Sequence, residues 1–215
     1  MEAIPNTSHS LFPTLVKEYD LRSVVDPYHA ALIAELVMER GSEGKSWDDA
    51  KWNLFPQTVT SYAEWERGGA KVIENPQFDD LRKSSTSCLR DYEKENGLRG
   101  NVISSSWINI GYKDAVVKEH RHGNVAVSMT YYPHFPEGSA NLMLVSPIVN
   151  HFRDEDHTNI RTTEDHKNPT VYTEWEHELT IKEGFLYIFP GWVRHYTTKS
   201  KSDKRIVVGM NCTLK

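Results

Sequence analysis

Apolar positions follow a helical period in two stretches of residues 1–100 and a strand-like one from residue 101 onward. After Asp26-Pro27, Leu32 and Leu36 stand four apart, as do Ile33 and Val37, which predicts a helix presenting these residues on one face. Asp at the cap, Pro in the first turn and Gly41 past the end mark its limits. Asn75-Pro76 opens a second helix in the same way. Phe78, Leu81, Cys88, Leu89 and Tyr92 keep its three-or-four spacing, and Gly97 ends it. Residues 42–74 carry Trp52, Phe55, Tyr62 and Trp65 without a period, which predicts loops and short helical pieces.

From residue 101 the runs VISSSWINI, NVAVSMTYY, NLMLVSP, HELTI, GFLYIFP and RIVVGMNC are short and rich in β-branched and aromatic residues. Gly111, Gly123, Pro133, Pro136-Glu137-Gly138, Gly184 and Pro190-Gly191 are the turn formers expected to separate them. Short strands at near-regular intervals predict a sandwich or barrel. The charged stretch 150–169, with His151, His157 and His166, breaks the rhythm and reads as a long exposed loop.

Composition narrows the classes. A chain of 215 residues that is 38% hydrophobic and 11% aromatic has enough apolar material for one core with an embellishing arm. A net charge of −5 and the absence of a long basic run give no support to phosphate-driven nucleic-acid binding. Cys88 and Cys212 are too few and too far apart for a disulfide framework or a cysteine zinc site. No apolar run reaches the length of a bilayer span, and MEAIPNTSHS lacks the layout of a signal peptide. A reducing cytoplasm is the expected location.

Two stretches carry chemistry. In Lys118-Glu119-His120-Arg121-His122 the histidines are two apart, so on a strand both point to one face and can share a divalent metal. Taken alone, the same pattern also suits a partly exposed charged turn. In GFLYIFPGWVRHY an apolar strand runs into Pro190-Gly191, and His195 follows. Arg205 then heads the strand RIVVGMN, where a buried guanidinium needs an anionic partner. A dicarboxylate ligand would supply one with bidentate geometry; taken alone, the position suits a strand-edge arginine paired with a surface acid better.

The order of these features resembles the 2-oxoglutarate/Fe(II) oxygenases, in particular a small prolyl-hydroxylase-like branch. The matching residues are HRHGNVAVSMTYY with Asn124, Ser128, Tyr131 and Tyr132, and the upstream Trp107 and Asn109. They continue with Gly184, Leu186, Phe189, Pro190, Trp192 and His195, then Arg205 and Asn211. Leu11-Phe12-Pro13-Thr14 is similar to the opening segment of that branch. The resemblance implies an α+β fold. Its core would be a double-stranded β-helix of the jelly-roll or cupin kind in residues 101–215, with supporting helices in residues 1–100 and the whole of 1–215 forming one oxygenase domain.

It also implies a cytoplasmic dioxygenase that uses Fe(II), 2-oxoglutarate and O2 to hydroxylate a substrate, releasing succinate and CO2. His120 and His195 would bind the metal. Arg205, assisted by Tyr132, would take the far carboxylate of 2-oxoglutarate, and Asn109 would reach the near carboxylate or the metal-bound oxygen. Trp107, Trp192, Asn124 and Ser128 would lie along the substrate pocket. Two departures from the wider superfamily pattern stand out, although the branch itself carries His-x-His. His122 occupies the place of the usual carboxylate ligand, so the third ligand is expected to be His122, with Asp114 or an open position as alternatives. Val207 replaces a hydroxyl residue that helps the arginine in many relatives, which puts more weight on Tyr132. The rival readings are a three-histidine cupin-type dioxygenase that does not use 2-oxoglutarate and a non-catalytic jelly-roll binding or assembly protein. Arg205 discriminates, because only the cosubstrate reading gives it work.

Overall fold

The computed structural model describes residues 14–41, 57–61, 71–147 and 176–215. The expected loop at 150–169, the segment Leu11–Pro13 and the aromatic residues Trp52, Phe55, Tyr62 and Trp65 lie outside the described residues.

Among the described residues, nine strands and two α-helices appear in the order β1 (Lys17–Asp20), α1 (Pro27–Gly41), β2 (Thr58–Thr60), α2 (Asp79–Asn96), β3 (Asn101–Tyr112), β4 (Val127–His134), β5 (Leu142–Val145), β6 (Glu176–Leu179), β7 (Phe185–Pro190), β8 (Arg194–Thr197) and β9 (Lys204–Leu214). They form a six-stranded sheet, β1-β7-β4-β9-β3-β2, and a three-stranded sheet, β6-β5-β8. Every pairing is antiparallel. This is the double-stranded β-helix that the family resemblance implied, within the sandwich-or-barrel class read from the strand pattern, with the helices on the outer face of the larger sheet.

Strand parity divides the labour of that sheet. On β9, Ile206, Val208, Met210 and Cys212 join the core shared with α1 and α2, while Arg205, Val207, Gly209 and Asn211 line a cavity on the other face. On β4, Val127, Met129 and Tyr131 pack in the helix-side core, and Ser128, Thr130 and Tyr132 line the cavity. On β7, Leu186 and Ile188 face the helices, and Phe185, Tyr187 and Phe189 build a second core with Leu142 and Leu144 of the small sheet. Burial on both faces explains why these strands read as continuous apolar runs.

The helix faces differ from the expectation in one respect. α1 buries Ala30, Ile33, Ala34 and Met38, whereas Leu32 and Leu36 are 41% and 44% exposed. The two apolar stripes are offset by one residue, about 100° around the helix. Small Ala30 and Ala34 let the stripe containing Ile33 approach the sheet, which rotates the leucine stripe outward. α2 is entered through a short 3-10 turn at Pro76–Phe78, where the Asn75 side chain accepts from Gln77 N at 3.0 Å. It ends at Gly97 with φ 68°. Its buried Glu93 carboxylate accepts from the backbone and side-chain nitrogens of Asn101, both at 2.8 Å, fixing the start of β3.

Two expected turn formers lie within strands instead. Gly111 sits inside β3, where an added side-chain carbon would lie 3.2 Å from Ala115 Cβ and 3.7 Å from Arg205 Nη2. Pro133 sits inside β4 at the irregularity between Tyr131 and His134, a place in the ladder that tolerates a missing N–H. Gly209 has a sharper requirement. It faces Trp107 across β3 and β9, and a methyl at 209 would overlap the indole. Gly209→Val is therefore expected to lower the free energy of unfolding by about 1–3 kcal/mol through overpacking, read by urea denaturation. An unchanged midpoint would show that the indole does not need the glycine.

Candidate functional site

The cavity between the sheets has a volume of about 340 Å3. His195 reaches it from β8 and is buried. His120 and His122 do not lie on a named strand, contrary to the parity expectation. Residue 120 forms one isolated antiparallel bridge with residue 195, through His120 N to His195 O at 3.0 Å and His195 N to His120 O at 2.8 Å. His122 N then donates to Gly191 O at 3.1 Å. The turn at Gly123-Asn124, where Asn124 has φ 59°, ends the segment before a strand can extend. Backbone bridges to β8 and to the turn before it therefore bring the two histidines to His195.

Ring nitrogens of His120, His122 and His195 lie within 4.8 Å of one another. Ring centroids are separated by 4.3 Å for His120 and His195, 5.1 Å for His122 and His195, and 5.3 Å for His120 and His122. Each Nδ1 is tied to an oxygen. His120 Nδ1 donates to Lys118 O at 2.7 Å, His195 Nδ1 to Val193 O at 2.9 Å, and His122 Nδ1 to Asn211 Oδ1 at 2.5 Å. A carbonyl only accepts, so each Nδ1 carries its proton and each Nε2 keeps its lone pair. Burial also holds all three imidazoles neutral. Desolvation lowers the pKa of His120, takes His122 to about 4 and takes His195 well below the usual value. Three neutral Nε2 donors converging in this way suit a divalent transition metal.

No carboxylate joins this cluster among the described residues. Asp114, the expected alternative ligand, is exposed in a left-handed turn and pairs with Lys199 at 3.2 Å. Glu119 pairs with Arg194.

Arg205 is 2% exposed and lines the same cavity. Its Nη1 donates to Ala140 O at 2.7 Å, and its buried Nε has no hydrogen-bond acceptor among the described residues. Tyr132 lies beside it, fully buried; desolvation raises the phenol's pKa and the guanidinium pulls it down. Asn109 lines the cavity and accepts from Thr60 Oγ1 at 2.5 Å. Trp107 and Ser128 also line it. Trp192 and Asn124 do not: Trp192 is 47% exposed in the turn after β7, and Asn124 is exposed in the turn after His122. Both lie in turns, outside the lining of this cavity.

Of the remaining histidines, His134 faces Glu183 at 3.4 Å and His177 lies on β6. His151, His157 and His166 lie outside the described residues. Sequence reasoning attached no role to Asn211, Gly209 or Thr60. The parity of β9 already carried the signal for the first two, since positions 205, 207, 209 and 211 share one face.

The model of the family described as "Putative 2OG-Fe(II) oxygenase" matches residues 105–211. No curated protein sequence matches the chain. Among solved structures, a Pseudomonas putida prolyl-4-hydroxylase is similar at 11% identity, with a TM-score of 0.56 over 93% of this chain and 92% of that one. HygX from Streptomyces hygroscopicus, with nickel and 2-oxoglutarate bound, is similar at 10% identity and a TM-score of 0.56, over 94% of this chain and 84% of that one. The viral collagen prolyl hydroxylase of Paramecium Bursaria Chlorella virus-1, as a 2-oxoglutarate complex, is similar at 10% identity and 0.54, over 93% and 96%. The matched segment runs from the strand of Trp107 through all three histidines and Arg205 to Asn211, and residues 105–211 match the 2-oxoglutarate/Fe(II) oxygenase family.

Proposed function

We propose that residues 1–215 act as one oxygenase unit that holds ferrous iron with His120, His122 and His195 and anchors 2-oxoglutarate with Arg205, hydroxylating a substrate as the cosubstrate becomes succinate and CO2. Arg205 carries the cosubstrate part of this reading. An arginine 2% exposed, with no acidic partner among the described residues, has lost its hydration without a compensating charge. An anion entering the cavity removes that cost, and its planar fork favours a carboxylate.

The remaining residues complete the arrangement. Tyr132 supplies a hydroxyl beside the guanidinium, the more important because Val207 lines the cavity without one. Asn109 offers an amide on the same wall. Arg205 and Arg121 are the charged residues of the lining among the described residues, and no carboxylate opposes them, so the cavity as a whole attracts anions. When bound, iron activates dioxygen against the substrate. The protein's share is to hold the imidazoles in one tautomer, fix the dicarboxylate and keep water out. Cys88 and Cys212 are free, and no helix among the described residues is long and apolar enough to cross a membrane. Both observations support the proposed cytoplasmic setting.

Anaerobic titration tests the reading directly. Ferrous protein is expected to develop a visible charge-transfer band when 2-oxoglutarate is added. Arg205→Leu should need at least about tenfold more cosubstrate, the value of one charge-assisted bond in a dry site. His195→Ala should show no band. Iron binding with no band at any 2-oxoglutarate concentration would favour the three-histidine cupin-type reading, and no iron binding would favour an assembly module.

The pH dependence gives a second check. Burial keeps the imidazoles neutral down to about pH 4 at His122 rather than the ordinary 6.5. Zn(II) affinity should therefore fall less from pH 7.5 to about 5.5 than it would for three solvated imidazoles, because fewer protons must leave. A steady fall beginning at pH 6.5 would mean that the histidines are solvated.

A further inference from the structure

We infer that Asn211, supported by Ser128, is the positioning residue that makes His122 a competent metal ligand; the inference rests on the proposal that His122 binds the metal. His120 and His195 each secure Nδ1 on the carbonyl two residues earlier, Lys118 O and Val193 O. His122 cannot repeat this arrangement cheaply. The carbonyl two residues before it is His120 O, which already accepts from His195 N at 2.8 Å in the bridge that joins the two segments. Its Nδ1 turns instead to the larger sheet, where Asn211 Oδ1 accepts at 2.5 Å.

The receiving pair is built for this. Ser128 and Asn211 are buried register partners on β4 and β9, both on the cavity face. Ser128 Oγ lies 3.2 Å from His122 Nδ1 and donates to Asn211 Oδ1 at 3.4 Å. One proton pattern satisfies all three groups: Nδ1–H and the serine hydroxyl both donate to the amide oxygen. The reversed amide would present an NH2 to Nδ1 and force the proton onto Nε2, which then could not ligate.

The need follows from the ligand type. A carboxylate presents two equivalent oxygens and is ionised at neutral pH. An imidazole has one lone pair in one tautomer and must be rotated to aim it. Substituting histidine for an acid at position 122 therefore calls for an oriented acceptor, and Asn211 meets that need. Trp107, 5.8 Å away between ring centroids, limits rotation of the ring from the other side.

The test combines metal affinity with tautomer state. In Zn(II) and Co(II) titrations, Asn211→Leu is expected to weaken binding by about 10–100-fold, the usual effect of removing a ligand's hydrogen-bond partner. Asn211→Asp keeps the acceptor and should bind within about threefold of wild type or tighter. Histidine-selective 15N correlation spectra of the metal-free wild type should show His122 protonated at Nδ1. That measurement decides the matter even if the leucine variant fails to fold. A His122 protonated at Nε2, or a folded Asn211→Leu with wild-type affinity, overturns the inference. His122→Ala separates the two layers. If it binds Zn(II) as tightly as wild type, the ligand assignment itself falls. If it loses affinity while Asn211→Leu does not, only the positioning role falls.

Discussion

A buried guanidinium, one buried imidazole and two half-buried ones facing one cavity impose the charge balance around which this protein is built. Arg205 has given up water for one backbone carbonyl. The histidines have given up protonation for burial. Burying the guanidinium on a single carbonyl costs free energy, and an anion bound in the cavity as proposed would offset that cost. Binding energy is in this sense prepared by the architecture, and the ligands complete the electrostatics that the chain leaves open.

The larger sheet makes that preparation possible by separating structure from chemistry residue by residue. Even-numbered positions of β9 pack against the helices, and odd-numbered positions 205 to 211 carry the guanidinium, a short valine, the glycine that admits Trp107 and the amide that holds His122. The smaller sheet contributes His195, and the bridge at residue 120 brings the other two imidazoles onto it. The site therefore straddles both sheets, and the Asn211 to His122 hydrogen bond is one of the links between them.

Much of this was legible in the sequence. Six strands stood out as β-rich runs, and the spacing of the histidines and Arg205 around an FP turn marked the site. β1, β2 and β8 escaped because each has three or four residues with mixed polarity, and their pairing is dictated by neighbours distant in the chain. The outward rotation of Leu32 and Leu36 was hidden because two stripes one residue apart satisfy the same period, and the close-packing alanines choose between them. The His-x-His segment converged as expected but by bridging rather than strand parity, since a left-handed turn at Asn124 stops extension. Asn211 had no assigned role because an asparagine in a strand has many uses until its partner is seen.

In the proposed site a third imidazole in place of a carboxylate would leave the metal one negative charge short, which would lower selectivity against zinc and copper and make the dicarboxylate a larger part of the neutralisation. The account therefore turns on Arg205 as a receptor for the far end of 2-oxoglutarate. Calorimetric titration of the anaerobic ferrous protein with 2-oxoglutarate and with 2-oxopentanoate, which keeps the chelating end and replaces the far carboxylate by a methyl group, measures that contribution alone. The account predicts a preference of at least about tenfold for the dicarboxylate in the wild type. Equal affinity for the two acids would contradict it.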